Sequence, residues 1–87
     1  MADRREPGLA LYHFDGCPFC RRVRDALFAL DLEIEQHNIH ENARRYQELI
    51  EATGRSTVPC LRIDGEGPTE WMHESEDIVR YLRQHFA

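Results

Sequence analysis

The sequence predicts an α/β fold in the order βαβαββα, with a four-stranded mixed sheet flanked by helices. Three observations carry that prediction. In the first half of the chain, short runs of strand character alternate with stretches of helical periodicity; in the second, two short strand patterns meet at a glycine-containing turn; and Ser75 to Phe86 return to helical spacing. A strand, helix and strand in succession give two parallel strands, to which a hairpin adds antiparallel neighbours.

Leu9 to Phe14 (LALYHF) is an unbroken apolar run ending at Asp15-Gly16, the pattern of a central strand covered on both faces and closed by a turn. From Pro18 to about Leu30, Val23, Leu27 and Leu30 recur at helical spacing with Ala26 beside them, while the arginines fall elsewhere. Glu33 to Ile39 (EIEQHNI) is polar for a strand, which suits a second, parallel strand at an exposed sheet edge. Glu41 to Thr53 carries Tyr46, Leu49 and Ile50 on one helical face and meets Gly54, a C-terminal stop that tolerates left-handed backbone. Thr57 to Ile63, the turn Asp64-Gly65-Glu66-Gly67 and Thr69 to His73 read as a hairpin. Ile78, Val79, Leu82 and Phe86 then define the apolar face of a final helix, with His85 in its last turn.

A chain of 87 residues is expected to form one domain, residues 1–87, burying roughly 60–65% of the surface it exposes when unfolded. With 41% hydrophobic and 31% charged residues it has no apolar run near the roughly 18–20 residues of a membrane span, and no membrane role is expected. Met1 to Gly8 lacks the apolar stretch of a secretory signal, so a cytoplasmic location is expected. The net charge of -5, from 11 basic and 16 acidic residues, opposes nucleic-acid binding. Three cysteines, two of them close together, do not make a disulfide framework; in a reducing compartment they would do chemistry or nothing.

Cys17-Pro18-Phe19-Cys20 falls where the first strand gives way to the first helix. Cys17 would sit near the helix N-cap and Pro18 at the first helical position, where a missing N–H costs least. Unpaired N–H groups and the positive end of the helix dipole would then favour the Cys17 thiolate, with Arg21 and Arg22 adding positive charge. Cys20 lies about one helical turn on, within disulfide reach, so Cys17 would attack and Cys20 resolve. Two buried cysteines acting as small hydrophobes, or a zinc site completed by Cys60 and scattered histidines, are the competing readings; no second paired motif supports the zinc site.

With Cys17-Pro18-Phe19-Cys20, Thr57-Val58-Pro59 and Glu74-Ser75 together, nearly the whole chain resembles the glutaredoxin family, and through Glu74-Ser75 the N-terminal domain of glutathione S-transferases. The resemblance implies a thioredoxin-like fold and glutathione as reducing co-substrate; no metal is expected, since no second paired motif completes a ligand set. It implies a cis bond before Pro59, which holds the Val58 backbone beside Cys17 to pair with glutathione like an added strand. It further implies that Glu74 and Ser75 hold the γ-glutamyl end of glutathione at a helix start, and that Phe19 and Thr57 border the ligand; an ordinary cap by Ser75 can coexist with that role. Three features depart from the common glutaredoxin pattern: Phe14 replaces a basic residue three before the first cysteine, Met72-His73 replaces a glycine pair, and Phe19 replaces a tyrosine. The large helical domain of full transferases is not in these residues, which argues against conjugation of bulky electrophiles.

Arg55, or less readily Arg44 and Arg45, could supply the missing contact to the glycine carboxylate. Cys60 should alternate away from Leu61 and Ile63 as a partly exposed third thiol, with Tyr12 and Trp71 as packing residues and His13 semi-buried. The expected function is a monomeric glutathione-dependent thiol-disulfide oxidoreductase acting on glutathionylated or disulfide-containing proteins. A thioredoxin-like donor served by a flavoprotein reductase, and a noncatalytic module binding glutathione or an iron-sulfur cluster, are the alternatives.

Overall fold

The computed structural model describes the backbone of residues 4–65 and 67–86, and side chains from Gly8 onward within them. Its elements run β1 (Arg4–His13), α1 (Pro18–Ala29), β2 (Leu32–Asn38), α2 (Ala43–Thr53), β3 (Cys60–Ile63), β4 (Glu70–Met72) and α3 (Ser75–Phe86). The strands form one sheet in the order β2-β1-β3-β4. β2 runs parallel to β1, while β3 is antiparallel to both β1 and β4. The expected mixed sheet is therefore present, with β1 inside it and polar β2 at an edge. Glu66 of the expected turn lies outside the described residues.

Alternation along β1 builds two cores. Leu9 and Leu11 face α1 and α3, meeting Val23, Leu27, Leu61, Ile78 and Leu82. Ala10 and Tyr12 face the other way, toward Leu49 of α2, Ile39 and Cys60. The α2 face is thinner than the sequence suggests: Leu49 is fully buried, whereas Tyr46 and Ile50 are 39% and 37% exposed. The polar side chain of Glu48, braced by Arg45, is engaged with the sheet instead and links β1 to β3. The Tyr12 hydroxyl, wholly buried, donates to Glu48 Oε1 and accepts from Arg62 Nη1 at 2.8 Å. Arg45 pairs with Glu48 at 3.1 Å, and Arg62 lies 3.3 Å from Asp64. Burial foremost, then the bond to Glu48, pushes the Tyr12 phenol up to about 12.

The boundaries follow local chemistry. β1 starts earlier than its apolar run because Arg4 and Arg5 pair with Leu32 and Glu33 through backbone, with a register shift between Arg5 and Ala10. Gly8 sits beside that shift, and a Cβ there would meet the Asp64 carbonyl oxygen at 2.8 Å. α2 begins at Ala43 rather than Glu41, since the Asn42 side chain accepts the Arg45 N–H at 3.2 Å and caps the helix. Gly54 ends it at φ 73°, its N–H bonded to the Ile50 carbonyl at 2.7 Å. Among the described residues no helix is long and apolar enough to cross a membrane.

Candidate active site

Strand direction assembles the site. β1 and β2 end, β3 begins and β4 ends at the same side of the sheet, because β3 is antiparallel to both its neighbours. In the β1–β3 register Tyr12 faces Cys60, so the residues before Cys60 continue alongside His13 toward the loop that carries Cys17. The β3–β4 register sets Leu61 against Met72, which brings Cys60 to His73 and Pro59 toward Glu74.

Cys17 is the N-cap of α1, with extended backbone (φ −84°, ψ 115°) and Pro18 in the first helical position, as the sequence predicts. Its Sγ accepts the Cys20 N–H at 3.4 Å, and its carbonyl accepts the Arg21 N–H at 3.0 Å. Cys17 is 8% exposed and Cys20 1%; both thiols are free. Burial first, then a hydrogen bond to Cys17, pushes the Cys20 thiol up to about 12, so Cys20 holds its proton at neutral pH.

A cavity of about 690 Å³ opens beside Cys17 on the α1–β2 side, lined by Phe14, Arg21, Arg24 and Phe28 among others. Arg24 reaches Asp15 at 3.7 Å. Arg22 does not join Arg21 there; it lies 3.7 Å from Glu76 at the start of α3. Thr57, Val58, Pro59, Glu74, Ser75 and Phe19 do not line this cavity. Phe19 is 60% exposed, and Val58 packs partly buried against the cluster of Ala10, Tyr12, Ile39, Leu49 and Cys60. The Val58–Pro59 bond is cis, as the resemblance implies. The Glu74 carbonyl accepts the Ile78 N–H at 2.9 Å, which makes Glu74 the capping position and Ser75 the first residue of α3, so an ordinary cap by Ser75 is excluded. Ser75 is buried and Glu74 exposed. Arg55 and Arg44 are exposed, and Arg45 is engaged by Glu48.

Two further expectations change. Cys60 is fully buried rather than partly exposed: it does alternate away from Leu61, but α2 and Ile39 cover that second face as well. Burial pushes its thiol up to about 12. His13 is buried, its Nδ1 without a hydrogen-bond partner among the described residues, and burial lowers its basicity. Sequence reasoning also missed His73, whose Nε2 lies 3.9 Å from Cys60 Sγ and whose Nδ1 lies 3.3 Å from the Thr57 carbonyl. The signal was present, since once Leu61 is set against Met72 the next pair outward is Cys60 and His73.

A strand that turns into a helix on the first of two cysteines, beside a cis-proline loop in a mixed sheet, defines a thioredoxin-fold protein with a dithiol site. The chain belongs to the family of glutaredoxins and glutathione S-transferase N-terminal domains: residues 11–87 match the glutathione S-transferase N-terminal domain family. Over 56 residues it is 32% identical to glutaredoxin 3 of Escherichia coli strain K12, which covers 64% of this chain and 68% of that protein. An epsilon-class glutathione S-transferase from the housefly, Musca domestica, superposes with a TM-score of 0.70 at 29% identity, covering 90% of this chain. A trimeric glutathione transferase from Leishmania gives 0.73 at 29% identity, covering 91%. This chain spans only 35% and 18% of those two transferases.

Proposed function

We propose that the chain is a glutathione-dependent thiol-disulfide oxidoreductase that reduces protein–glutathione mixed disulfides and protein disulfides. Cys17 is the nucleophile. Its thiolate attacks the glutathionyl sulfur of a mixed disulfide; a new S–S bond forms, the old one breaks, and the protein thiolate leaves and takes a proton from water. The thiolate of a second glutathione then attacks the Cys17-bound sulfur, releasing oxidised glutathione and regenerating Cys17. With a protein disulfide, Cys20 gives up its proton and displaces the substrate thiol, closing a Cys17–Cys20 disulfide that two glutathione molecules reopen.

The observation that carries this reading is the unequal placing of the two sulfurs. Cys17 caps the helix, keeps 8% exposure and borders a cavity, whereas Cys20, 1% exposed, keeps its proton. Glutathione as the reductant is supported by the glutaredoxin and transferase relatives. Its cysteine would pair with the Val58 backbone, bordered by Phe19, Thr57 and Pro59, and its γ-glutamyl group would sit at Glu74 and Ser75 where α3 begins. A cytoplasmic, monomeric protein acting on other proteins completes the proposal. The test is reduction of a glutathionylated peptide: Cys17→Ser should lose at least about a thousandfold in rate, as nucleophile removal does, while Cys20→Ser retains turnover. Equal activity in the two variants overturns the assignment.

A further inference from the structure

We propose that His73 is a positioning residue that orients the backbone donor by which the Thr57–Pro59 loop takes glutathione. The inference rests on the functional reading above and extends it to a residue outside the motifs that suggested it.

The ring is held at both nitrogens. Nδ1 lies 3.3 Å from the Thr57 carbonyl oxygen, which only accepts, so Nδ1 carries the proton. In the neutral ring Nε2 then has the lone pair, and it faces Cys60 Sγ at 3.9 Å, near the outer limit for a sulfur donor. The Cys60 thiol is fully buried and stays protonated, so it supplies the hydrogen that this tautomer accepts. The resulting relay runs from the Cys60 S–H through the imidazole to the Thr57 carbonyl, and it joins the start of β3 and the end of β4 to the loop before Pro59.

The consequence lies in the peptide plane. The Thr57–Val58 bond is not among the cis bonds, so its C=O and N–H point in opposite directions across one rigid unit. A carbonyl fixed by His73 therefore fixes the Val58 N–H on the opposite side, and that N–H is the group proposed to meet glutathione. His73 needs no contact with the ligand to act in this way. It sets the direction of a donor before the ligand arrives, which lowers the ordering cost of binding.

The test compares His73→Leu, which removes both polar atoms, with His73→Asn, whose side-chain amide can donate where Nδ1 does. In reduction of a glutathionylated peptide, His73→Leu should raise KM about 5- to 10-fold, the range of one hydrogen bond near 1 kcal/mol, with kcat within about twofold. His73→Asn should restore KM to within about twofold of the parent. An unchanged KM in His73→Leu, or an equal rise in both variants, overturns the positioning role while leaving the oxidoreductase reading intact. A parent protein inactive on the peptide overturns that reading instead. One measurement needs neither activity nor a variant: the imidazole nitrogen chemical shifts of His73 should report the Nδ1–H tautomer at neutral pH, and the Nε2–H tautomer would refute the relay.

Discussion

Tyr12→Phe removes one oxygen from the middle of the polar cluster that ties β1 to α2 and β3, and its cost can be worked from the contacts. The ring stays, and no cavity larger than a hydroxyl forms in the fully buried site. Two hydrogen bonds to charged partners go, one to Glu48 and one from Arg62. Each would contribute about 1.5–3 kcal/mol if its partner were then left unpaired. Neither is, because Arg62 still reaches Glu48 at 3.4 Å and Asp64 at 3.3 Å, and Glu48 keeps Arg45 at 3.1 Å. The Glu48 side chain is also 37% exposed, so water screens its share. The net loss is that of roughly one bond at the low end, about 1.5–2 kcal/mol. With an unfolding entropy near 2.1 cal/mol/K per residue, that lowers the Tm of this 87-residue chain by about 8–11 °C at pH 7. The pH dependence has a fixed sign. Donation from Tyr12, then from Arg45, holds the Glu48 carboxyl below the usual range; its stabilisation is complete above the unfolded carboxylate value, about 4.3, and is lost as pH falls through the lower folded value. At the other end the raised Tyr12 phenol contributes below about 10 and loses that contribution as pH climbs toward about 12. Thermal unfolding followed by circular dichroism from pH 2 to 8 should therefore show a gap between parent and variant that narrows below about pH 4. A variant within 2 °C of the parent at pH 7 (well under the ~8 °C expected), or a gap that persists undiminished into acid, would refute this account of the cluster.

Gly8→Ala places a methyl 2.8 Å from the Asp64 carbonyl oxygen, in a segment that cannot retreat without stretching the 2.8 Å bond from the Asp64 N–H to the Gly8 carbonyl. It should cost about 1–3 kcal/mol in urea unfolding, whereas Gly65→Ala, which meets open space, should leave the midpoint unchanged; equal midpoints would be the contrary result. Iodoacetamide at neutral pH should leave Cys60 unmodified in the native protein and label it on unfolding, since the thiol is both buried and protonated. Peptide mass spectrometry that finds Cys60 alkylated in the native state would contradict that burial.

How far these features could be read in advance depended on whether side-chain pattern or backbone pairing decided them. α3 falls on Ser75–Phe86 as its apolar spacing and terminal charges indicate, and Gly54 stops α2 where its freedom at positive φ is needed. Cys17 at the N-cap of α1 followed from the strand-to-turn-to-proline order alone. The early half of β1 did not, because Arg4 and Arg5 join the sheet through main-chain groups that leave no apolar signature. Alternation puts Cys60 on the correct face but not in the correct environment: it tells which side of a strand a residue occupies, but only tertiary packing tells whether that side is covered. Pattern makes Tyr12 a packing residue, since neither Glu48 nor Arg62 is near it in sequence; Glu48 reaches it because α2 crosses the sheet face, and Arg62 because β3 pairs with β1.

The same distinction explains why three short motifs come to one end of the sheet. Cys17 follows a strand that has just ended, Pro59 precedes one about to begin, and Glu74 follows another that has ended. Motifs at strand ends and at a strand start are neighbours only if the middle strand runs against the other two. β3 does, between β1 and β4. Were β3 parallel to β1, Pro59 would lie at the far end of its four residues, about 13 Å from the cysteine loop at 3.3 Å per residue. No side-chain adjustment covers such a distance. The antiparallel hairpin is thus a condition of the proposed chemistry, and His73, at the edge of that hairpin with its Nδ1 3.3 Å from the Thr57 carbonyl, stands where strand pairing meets the loop proposed to take glutathione.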